Sequence, residues 1–362
     1  MKKISSRQAL LLVVSTVFSP AVRLYSAFYS RDVNQSAWIA PLIAGAAASC
    51  FILVLNGILK SGRSFSSCAD FAIGTVGTKV LAAVYFVWGT LLVALHLRYY
   101  AQRITTTIYT DISIDPFIIV MVLLCFMALL SGLEAFARMN EIISMLMAFI
   151  TVGVMILLSG ETEKKNLLPL DDSFSVAHTA LFTLASFGYI TFILFFADEL
   201  TEKEKFKKHG FLSVGAISLL SVWLFVTVIG SLGPELIKKL EYPFFGAVKQ
   251  ISVGEFIQHI EALIVTIWIL SDFVIVTFIS SAMLKIIAYG AKTEDAKPFA
   301  FPYAVLCITL VPLMGRNDGE LKMLSKKIFL PANLILLFAV PLALFVIMKI
   351  KDKKRFAKPP AE

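Results

Sequence analysis

The chain has 362 residues, of which 58% are hydrophobic and 16% charged, and its formal net charge is +8 at pH 7. Soluble domains contain about 45–50% apolar and about 25% charged residues, so this composition excludes an ordinary soluble protein. Apolar runs long enough to cross about 30 Å of hydrocarbon recur from end to end, which predicts a polytopic α-helical membrane protein. These runs are continuous rather than alternating, which argues against a β-barrel.

Ten membrane spans are predicted from the apolar runs, with approximate limits at 7–30, 37–59, 79–103, 116–133, 139–158, 176–198, 208–232, 254–285, 299–315 and 329–350. An even number places both termini on one side, and the excess of Lys and Arg there predicts that this side is cytoplasmic. The predicted divisions are a first five-helix repeat (1–158), an extracytoplasmic loop (159–175), a second five-helix repeat (176–350) and a basic cytoplasmic tail (351–362).

Basic residues concentrate at the ends of the predicted spans, which indicates contact with lipid headgroups and argues against a nucleic-acid partner. The four histidines are dispersed and the four cysteines have no metal-ligand spacing, so neither a metal site nor another cofactor is predicted. The common hydrolase, metalloprotease and P-loop motifs are absent from the sequence, and we therefore predict no enzymatic activity.

The first span of each predicted half carries a helix interruption. In span one the interruption is Ser19-Pro20, where proline removes a backbone hydrogen bond. In span six it covers Ser186, Gly188 and Tyr189, where glycine loosens the helix. Paired interruptions at corresponding positions indicate a ligand site near the membrane midplane in inverted-repeat transporters. An ordinary proline kink and a packing glycine are the alternative explanation.

Ionisable residues inside the spans form a predicted charge network, because unpaired charges are costly in hydrocarbon. At about 1.5 Å per helical residue, Arg23, His96 and Glu261 reach similar depths in the outer leaflet. Arg23 is expected to pair with Glu261, or alternatively to extend towards the headgroups. Glu255 and His259 belong to the same outer layer. Asp272 lies deeper, either as a proton or cation site or as an acid held neutral by a hydrogen bond.

Two predicted spans each present one partly polar helical face. On span three this face comprises Tyr85, Leu92, His96, Tyr99 and Arg103. On span eight it comprises Glu255, His259, Thr266, Phe273 and Thr277. Both faces are expected to point into the helix bundle, where their hydroxyl groups either contact a small polar ligand or hold neighbouring helices together.

The segment YPFFGAVKQISVGEFIQHIEALIVTIWIL (242–270) resembles the signature of the spore germination permeases, the B subunits of nutrient germinant receptors. GLEAFARMNEI (132–142) and NLLPL (166–170) are weaker matches to the same family. The chain departs from the family pattern at Gln258-His259, where members often carry Glu-Arg. It also departs at Gly188-Tyr189, near which members often carry an acidic residue.

The resemblance implies the fold of the amino acid/polyamine/organocation transporters, with two inverted five-helix repeats and interrupted helices 1 and 6. It further implies a subunit of the inner spore membrane that binds an amino acid, sugar or nucleoside germinant. Its partners would be an A subunit and a lipoprotein C subunit. The implied ligand-binding residues are Ser19, Pro20, Tyr99, Ser186, Gly188, Tyr189, Thr266 and Thr277.

Two further functions are compatible with the sequence. One is a secondary amino acid transporter coupled to H⁺ or Na⁺, with Asp272 or Glu261 as the coupling residue. The other is a scaffold subunit that binds no ligand.

Overall fold

A computed structural model describes residues 3–18, 35–109, 111–168, 173–251 and 260–356. The helices are α1 (Ser6–Phe18), α2 (Ala40–Lys60), α3 (Phe65–Thr107), α4 (Asp115–Ser131), α5 (Leu133–Ser159), α6 (Ser173–Phe187), α7 (Phe206–Leu232), α8 (Pro234–Ile237), α9 (Pro243–Lys249), α10 (Ile260–Ala291), α11 (Ala300–Leu310), α12 (Asp318–Leu324), α13 (Leu330–Leu334) and α14 (Val340–Phe356). Short 3-10 segments are Gln35–Ile39, Lys164–Leu167, Gly188–Phe196, Lys203–Lys205, Lys297–Phe299 and Val311–Met314. Strands β1 (Ile4–Ser5) and β2 (Leu200–Thr201) form one parallel pair.

Within the described ranges, 8 continuous helical stretches are long and apolar enough to cross a membrane, while α1 and α4 are apolar but shorter. Their outer surface is apolar as well: Phe149 and Val76 are 79% and 78% exposed. An outer surface with many such side chains suits a lipid environment. The predicted polytopic helical architecture is therefore confirmed, whereas the exact number of ten spans is not.

Helix α3 is longer than the sequence predicted. It begins at Phe65, after Ser64 caps it by accepting a hydrogen bond from the Ser67 N–H, and it bends at Gly74 (φ 79°, ψ 166°). Polar residues and two glycines lower the hydropathy of its first turns, which made this stretch resemble a loop in the sequence. A buried face comprising Phe65, Cys68, Ala69 and Ala72 nevertheless packs against the bundle.

The sixth span changes helix type where an interruption was predicted. Helix α6 ends at Phe187 and the chain continues as a 3-10 helix from Gly188 to Phe196. A Cβ atom on Gly188 would lie 2.8 Å from the Leu337 Cβ and 2.8 Å from the Phe338 ring. Glycine therefore allows the sixth span to approach the last span closely at the point where its hydrogen-bonding pattern changes.

The last span contains two π-helical turns, Ser325–Phe329 and Ile335–Ala339. Each turn ends two residues before a proline, Pro331 and Pro341. Proline has no N–H, and its ring crowds the carbonyl four residues earlier, so a widened turn relieves the clash. Predicted as 329–350, this span is extended at its start by α12.

The bundle is held together mainly by α10 on α3 and by α2 on α6 and α7. The chain start is also fixed: the Ile4 N–H donates to the Glu199 carbonyl at 2.9 Å. The Ser6 hydroxyl lies 3.1 Å and 2.8 Å from the Thr201 and Glu202 carbonyls. These contacts attach the first helix to the segment that follows the 3-10 part of span six.

Candidate functional site

His96 and Tyr189 meet in the centre of the bundle, one on α3 and the other on the 3-10 segment of span six. The His96 Nε2 lies 3.1 Å from the Tyr189 hydroxyl, and the two rings are 5.7 Å apart, edge to face. Both residues are buried, at 1% and 3% exposure. Ser186, one turn before Tyr189, is buried and its hydroxyl has no hydrogen-bond partner among the described residues. A polar layer thus joins a helix of each half beside Gly188.

The last span also forms hydrogen bonds with side chains of spans three and six. The Thr191 hydroxyl donates to the Leu337 carbonyl at 2.6 Å, and the Tyr85 hydroxyl donates to the Leu336 carbonyl. Tyr99 and Ser325 share a hydroxyl–hydroxyl contact of 2.9 Å. Leu336 and Leu337 belong to the second π turn and Ser325 begins the first, so side chains from spans three and six bind the last span where its backbone departs from α-helix.

Arg103 and Asp272 form a buried ion pair that joins α3 to α10, and their side chains are 1% and 0% exposed. The Arg103 guanidinium also lies over the Trp268 ring, 4.6 Å from its centroid. The ring is flanked by Tyr242 and Phe245, with centroids 6.0 Å and 5.6 Å away. Asp272 is therefore a paired acid. The sequence did not reveal this partner, because Arg103 was assigned to the outer end of its span.

Arg98 on α3 serves as a helix cap. Its Nε and Nη2 donate to the Gly315 and Arg316 carbonyls, each at 3.2 Å. These carbonyls follow the 3-10 segment that ends span nine, and Gly315 has a positive φ of 106°. Capping a helix end with an arginine satisfies carbonyls that have no partner within the helix.

The two threonines predicted on α10 have different surroundings. Thr266 is exposed and donates to the Ala262 carbonyl of its own helix. Thr277 is buried beside the Cys125 thiol of α4. Trp268 and Asp272 are buried on α10 as well, so the predicted face points into the bundle at Thr277 but not at Thr266. Glu261 lies partly exposed in the first turn of α10.

Five predicted residues, Ser19, Pro20, Arg23, Glu255 and His259, lie outside the described residues. The predicted Arg23–Glu261 pair stays a prediction for that reason. In the described ranges, no group of three or more His, Cys, Asp or Glu side chains is arranged to hold a metal ion.

Aromatic rings fill the bundle between the His96–Tyr189 layer and the end of the bundle that carries β1 and β2. Trp88 stacks on Phe192 with ring centroids 6.0 Å apart, and Phe196 stacks on Phe278 at 5.6 Å. Beyond them lie two cavities of about 200 Å³ and 330 Å³. Phe196 and the ion pair between Glu199 and Lys285 line both cavities. This ion pair therefore stands between two water-accessible spaces.

The opposite end of the bundle carries a compact charged group in the loops. Lys322 pairs with Asp318 and lies 3.6 Å from Glu241. Burial raises the pKa of Glu241, and the neighbouring Asp318 carboxyl group raises it further. The positive charge of Lys322 lowers the same pKa but does not cancel these two effects. Burial also raises the pKa of the Tyr242 hydroxyl, which therefore stays protonated.

Solved structures with this arrangement of helices are transporters. A nucleobase-cation-symport-1 family transporter, Mhp1, in a closed conformation with bromovinylhydantoin bound, matches with a TM-score of 0.69 and 11% identity, over 94% of this chain and 78% of that one. MhsT in complex with L-phenylalanine matches with a TM-score of 0.64 and 12% identity, over 96% of this chain and 89% of that one. At such low identity these matches show the fold, which is the predicted LeuT-like fold.

Sequence comparison identifies relatives among germination proteins. The chain is 26% identical to spore germination protein KB of Bacillus subtilis (strain 168) over 340 residues, 89% of each chain. It is 25% identical to spore germination protein XB of Bacillus anthracis over 181 residues, 48% of this chain and 49% of that one. The model of the spore germination protein (spore permease) family matches residues 3–319. The chain therefore belongs to the spore germination permease family.

Proposed function

We propose that this protein is the integral membrane subunit of a spore germinant receptor. It binds a small nutrient germinant, an amino acid, sugar or nucleoside, and signals germination with an A subunit and a lipoprotein C subunit. It lies in the inner spore membrane with both termini in the cytoplasm. The observation that carries the proposal is the His96–Tyr189 contact, which joins the two halves of a transporter fold beside Gly188.

The proposed binding layer centres on Tyr189, Ser186 and the backbone at Gly188, with Tyr99 one turn beyond His96 on α3. Ser19 and Pro20, which lie outside the described residues, are included as ligand-binding residues on the sequence pattern alone. A ligand that replaces the His96–Tyr189 hydrogen bond alters the contact between span six and the last span. Ligand binding then shifts the equilibrium between two conformations of the protein, to an extent set by the difference between the ligand's affinities for them. The partner subunits respond to the new conformation.

Spores carrying Tyr189→Phe provide the test. The substitution removes one hydroxyl and keeps the ring, so the subunit is expected to accumulate normally while germination with one nutrient is lost or needs about tenfold more of it. Tyr109→Phe, at a 47% exposed position, is the matched control. An unchanged nutrient response in the Tyr189→Phe spores would contradict this binding layer.

A coupled amino acid transporter is the second candidate, favoured by the fold and by the cavities that reach Glu199 and Lys285. Asp272 is a less simple coupling residue than the sequence suggested, because H⁺ or Na⁺ would compete with Arg103. Uptake of a labelled amino acid into proteoliposomes under an imposed ion gradient would support the transporter. A scaffold role gains support if deletion abolishes germination while Tyr189 and Tyr99 substitutions have no effect.

A further inference from the structure

The 3-10 part of span six is unusually long. It covers 9 residues, Gly188–Phe196, and all of them except Phe195 are buried. Runs of 3-10 helix longer than about three or four residues are uncommon, because their hydrogen bonds are poorer than those of an α-helix. A 3-10 helix rises about 2.0 Å per residue and an α-helix about 1.5 Å, so this segment is longer than the same residues would be as α-helix. Contacts at its two ends must therefore hold it extended.

Both ends of the 3-10 segment are fixed to other parts of the bundle. At its start, Gly188 packs closely against the last span, and the Thr191 hydroxyl donates to the Leu337 carbonyl at 2.6 Å. After its end, the chain continues into β2, which pairs with β1 at the chain start. The residues between Thr191 and β2 are thus held between two anchors.

The second anchor is made by side chains as well as backbone. The Ile4 N–H donates to the Glu199 carbonyl at 2.9 Å, and the Thr201 hydroxyl donates to the Ile4 carbonyl at 3.1 Å. The Ser6 hydroxyl, on a residue that is 0% exposed, reaches the Thr201 and Glu202 carbonyls. Glu202 has a left-handed backbone, with φ 52° and ψ 42°. That conformation is unfavourable for a residue with a side chain and persists only where neighbouring contacts enforce it.

The same end of span six forms the barrier between the two cavities. Glu199 follows Phe196 by three residues and pairs with Lys285 of α10, and these three residues line both cavities. Converting one turn of three residues from 3-10 to α-helix would shorten the segment by about 1.5 Å and turn its end by about 60°. Because an ion pair requires direct contact between its charged atoms, such a movement would separate Glu199 from Lys285.

We propose that β1 is a strap that keeps the 3-10 segment extended and the Glu199–Lys285 barrier closed. When β1 leaves β2, the residues after Thr191 rewind into α-helix and draw Glu199 away from Lys285, so the two cavities join. The side chains of the segment are apolar and buried on all sides, so its rotation exposes no polar group to hydrocarbon. This device does not depend on the identity of any ligand.

The first test fastens and releases the strap in one protein. Ser5 and Thr201 are partners in the strand register, so a variant with Ser5→Cys and Thr201→Cys can be closed by oxidation and opened by reduction. The readout is modification of Lys285 by a water-soluble amine reagent in the purified full-length protein in detergent. Reduction should raise its rate about fivefold, because the opened strap lacks the Thr201 hydroxyl bond. Lys322, paired with Asp318 at the opposite end of the bundle, is the internal reference and should not change.

A second variant releases the strap without cysteines. Ser6→Ala with Thr201→Val removes the hydroxyl bonds in both directions and should raise the rate of Lys285 modification about tenfold. Ser144→Ala with Thr309→Val is the matched control, because both hydroxyls bond only within their own helices. The control should react like wild type.

Hydrogen exchange distinguishes rewinding from fraying in the released variants. Rewinding gives residues 192–197 α-helical bonds, so their amides should stay protected while those of 200–202 exchange faster. Fast exchange throughout 192–202 would mean that the end of span six only frays, and it would overturn the proposal. Unchanged Lys285 modification in both released variants would overturn it as well. These measurements contain no ligand, so neither result bears on the proposed germinant binding.

Discussion

The hydroxyl of Thr191 donates to the carbonyl of Leu337 at 2.6 Å, and this bond connects the 3-10 part of span six to the second π turn of the last span. Leu337 stands four residues before Pro341, which has no N–H to offer its carbonyl. Thr191 therefore replaces the missing backbone donor, and two irregular segments from different spans support one another.

Replacing Thr191 with valine should leave the Leu337 carbonyl buried without a donor. The expected loss is about 1–3 kcal/mol, seen as a lower melting temperature of the purified protein. Thr309→Val is the control, because Thr309 is exposed and bonds only within its own helix.

A second variant tests the proline explanation. Adding Pro341→Ala to Thr191→Val restores a backbone N–H four residues after Leu337, so the double variant should recover much of the lost stability. The Pro341→Ala single variant completes the comparison. If the stability losses of Thr191→Val and Pro341→Ala add in the double variant, Thr191 does not compensate for Pro341.

Gly188→Ala should destabilise the protein, since the added Cβ would lie 2.8 Å from the Leu337 Cβ and from the Phe338 ring. Overpacking of this kind costs about 1–3 kcal/mol. Gly153→Ala is the matched control on α5, where a Cβ meets nothing within 4 Å. The control should be neutral or slightly stabilising, because alanine favours helix. Equal melting temperatures for the two variants would refute the close packing of span six against the last span.

Asp272→Asn should destabilise the protein strongly, by about 3–5 kcal/mol, because it leaves the Arg103 charge buried without its counter-ion. Arg103→Leu with Asp272→Leu removes both charges and keeps apolar volume, so the double variant should be more stable than Asp272→Asn. Melting temperatures in detergent give the comparison. A double variant as unstable as the single one would mean that the two residues do not act as a pair.

Features set by local sequence were predictable. Continuous apolar runs predicted a helical membrane protein, and the glycine at position 188 predicted where span six changes its helix type. The Arg103–Asp272 pair was not predictable, because the register between α3 and α10 depends on packing: Gly89 lies against Met283, where a Cβ would be 2.4 Å from its sulfur. The exposed position of Thr266 was not predictable either, because tertiary contacts decide which side of α10 faces the bundle at that point.

Glu241 should make the stability of the protein depend on pH. Burial and the Asp318 carboxyl group raise its pKa in the folded protein above the ordinary value of 4.5. The folded state therefore holds this proton more tightly than the unfolded state does. The resulting stabilisation is complete below pH 4.5 and is lost as pH rises through the folded pKa.

Glu241→Gln removes this dependence, so the variant should gain stability over wild type as pH rises from 4.5 towards 8. Melting temperatures measured across that range give the difference at each pH. Glu235→Gln is a control of opposite sign, because the hydrogen bond and charge of Lys238 lower the Glu235 pKa on an exposed helix. A difference between Glu241→Gln and wild type that stays constant from pH 4.5 to 8 would show that Glu241 titrates alike in both states.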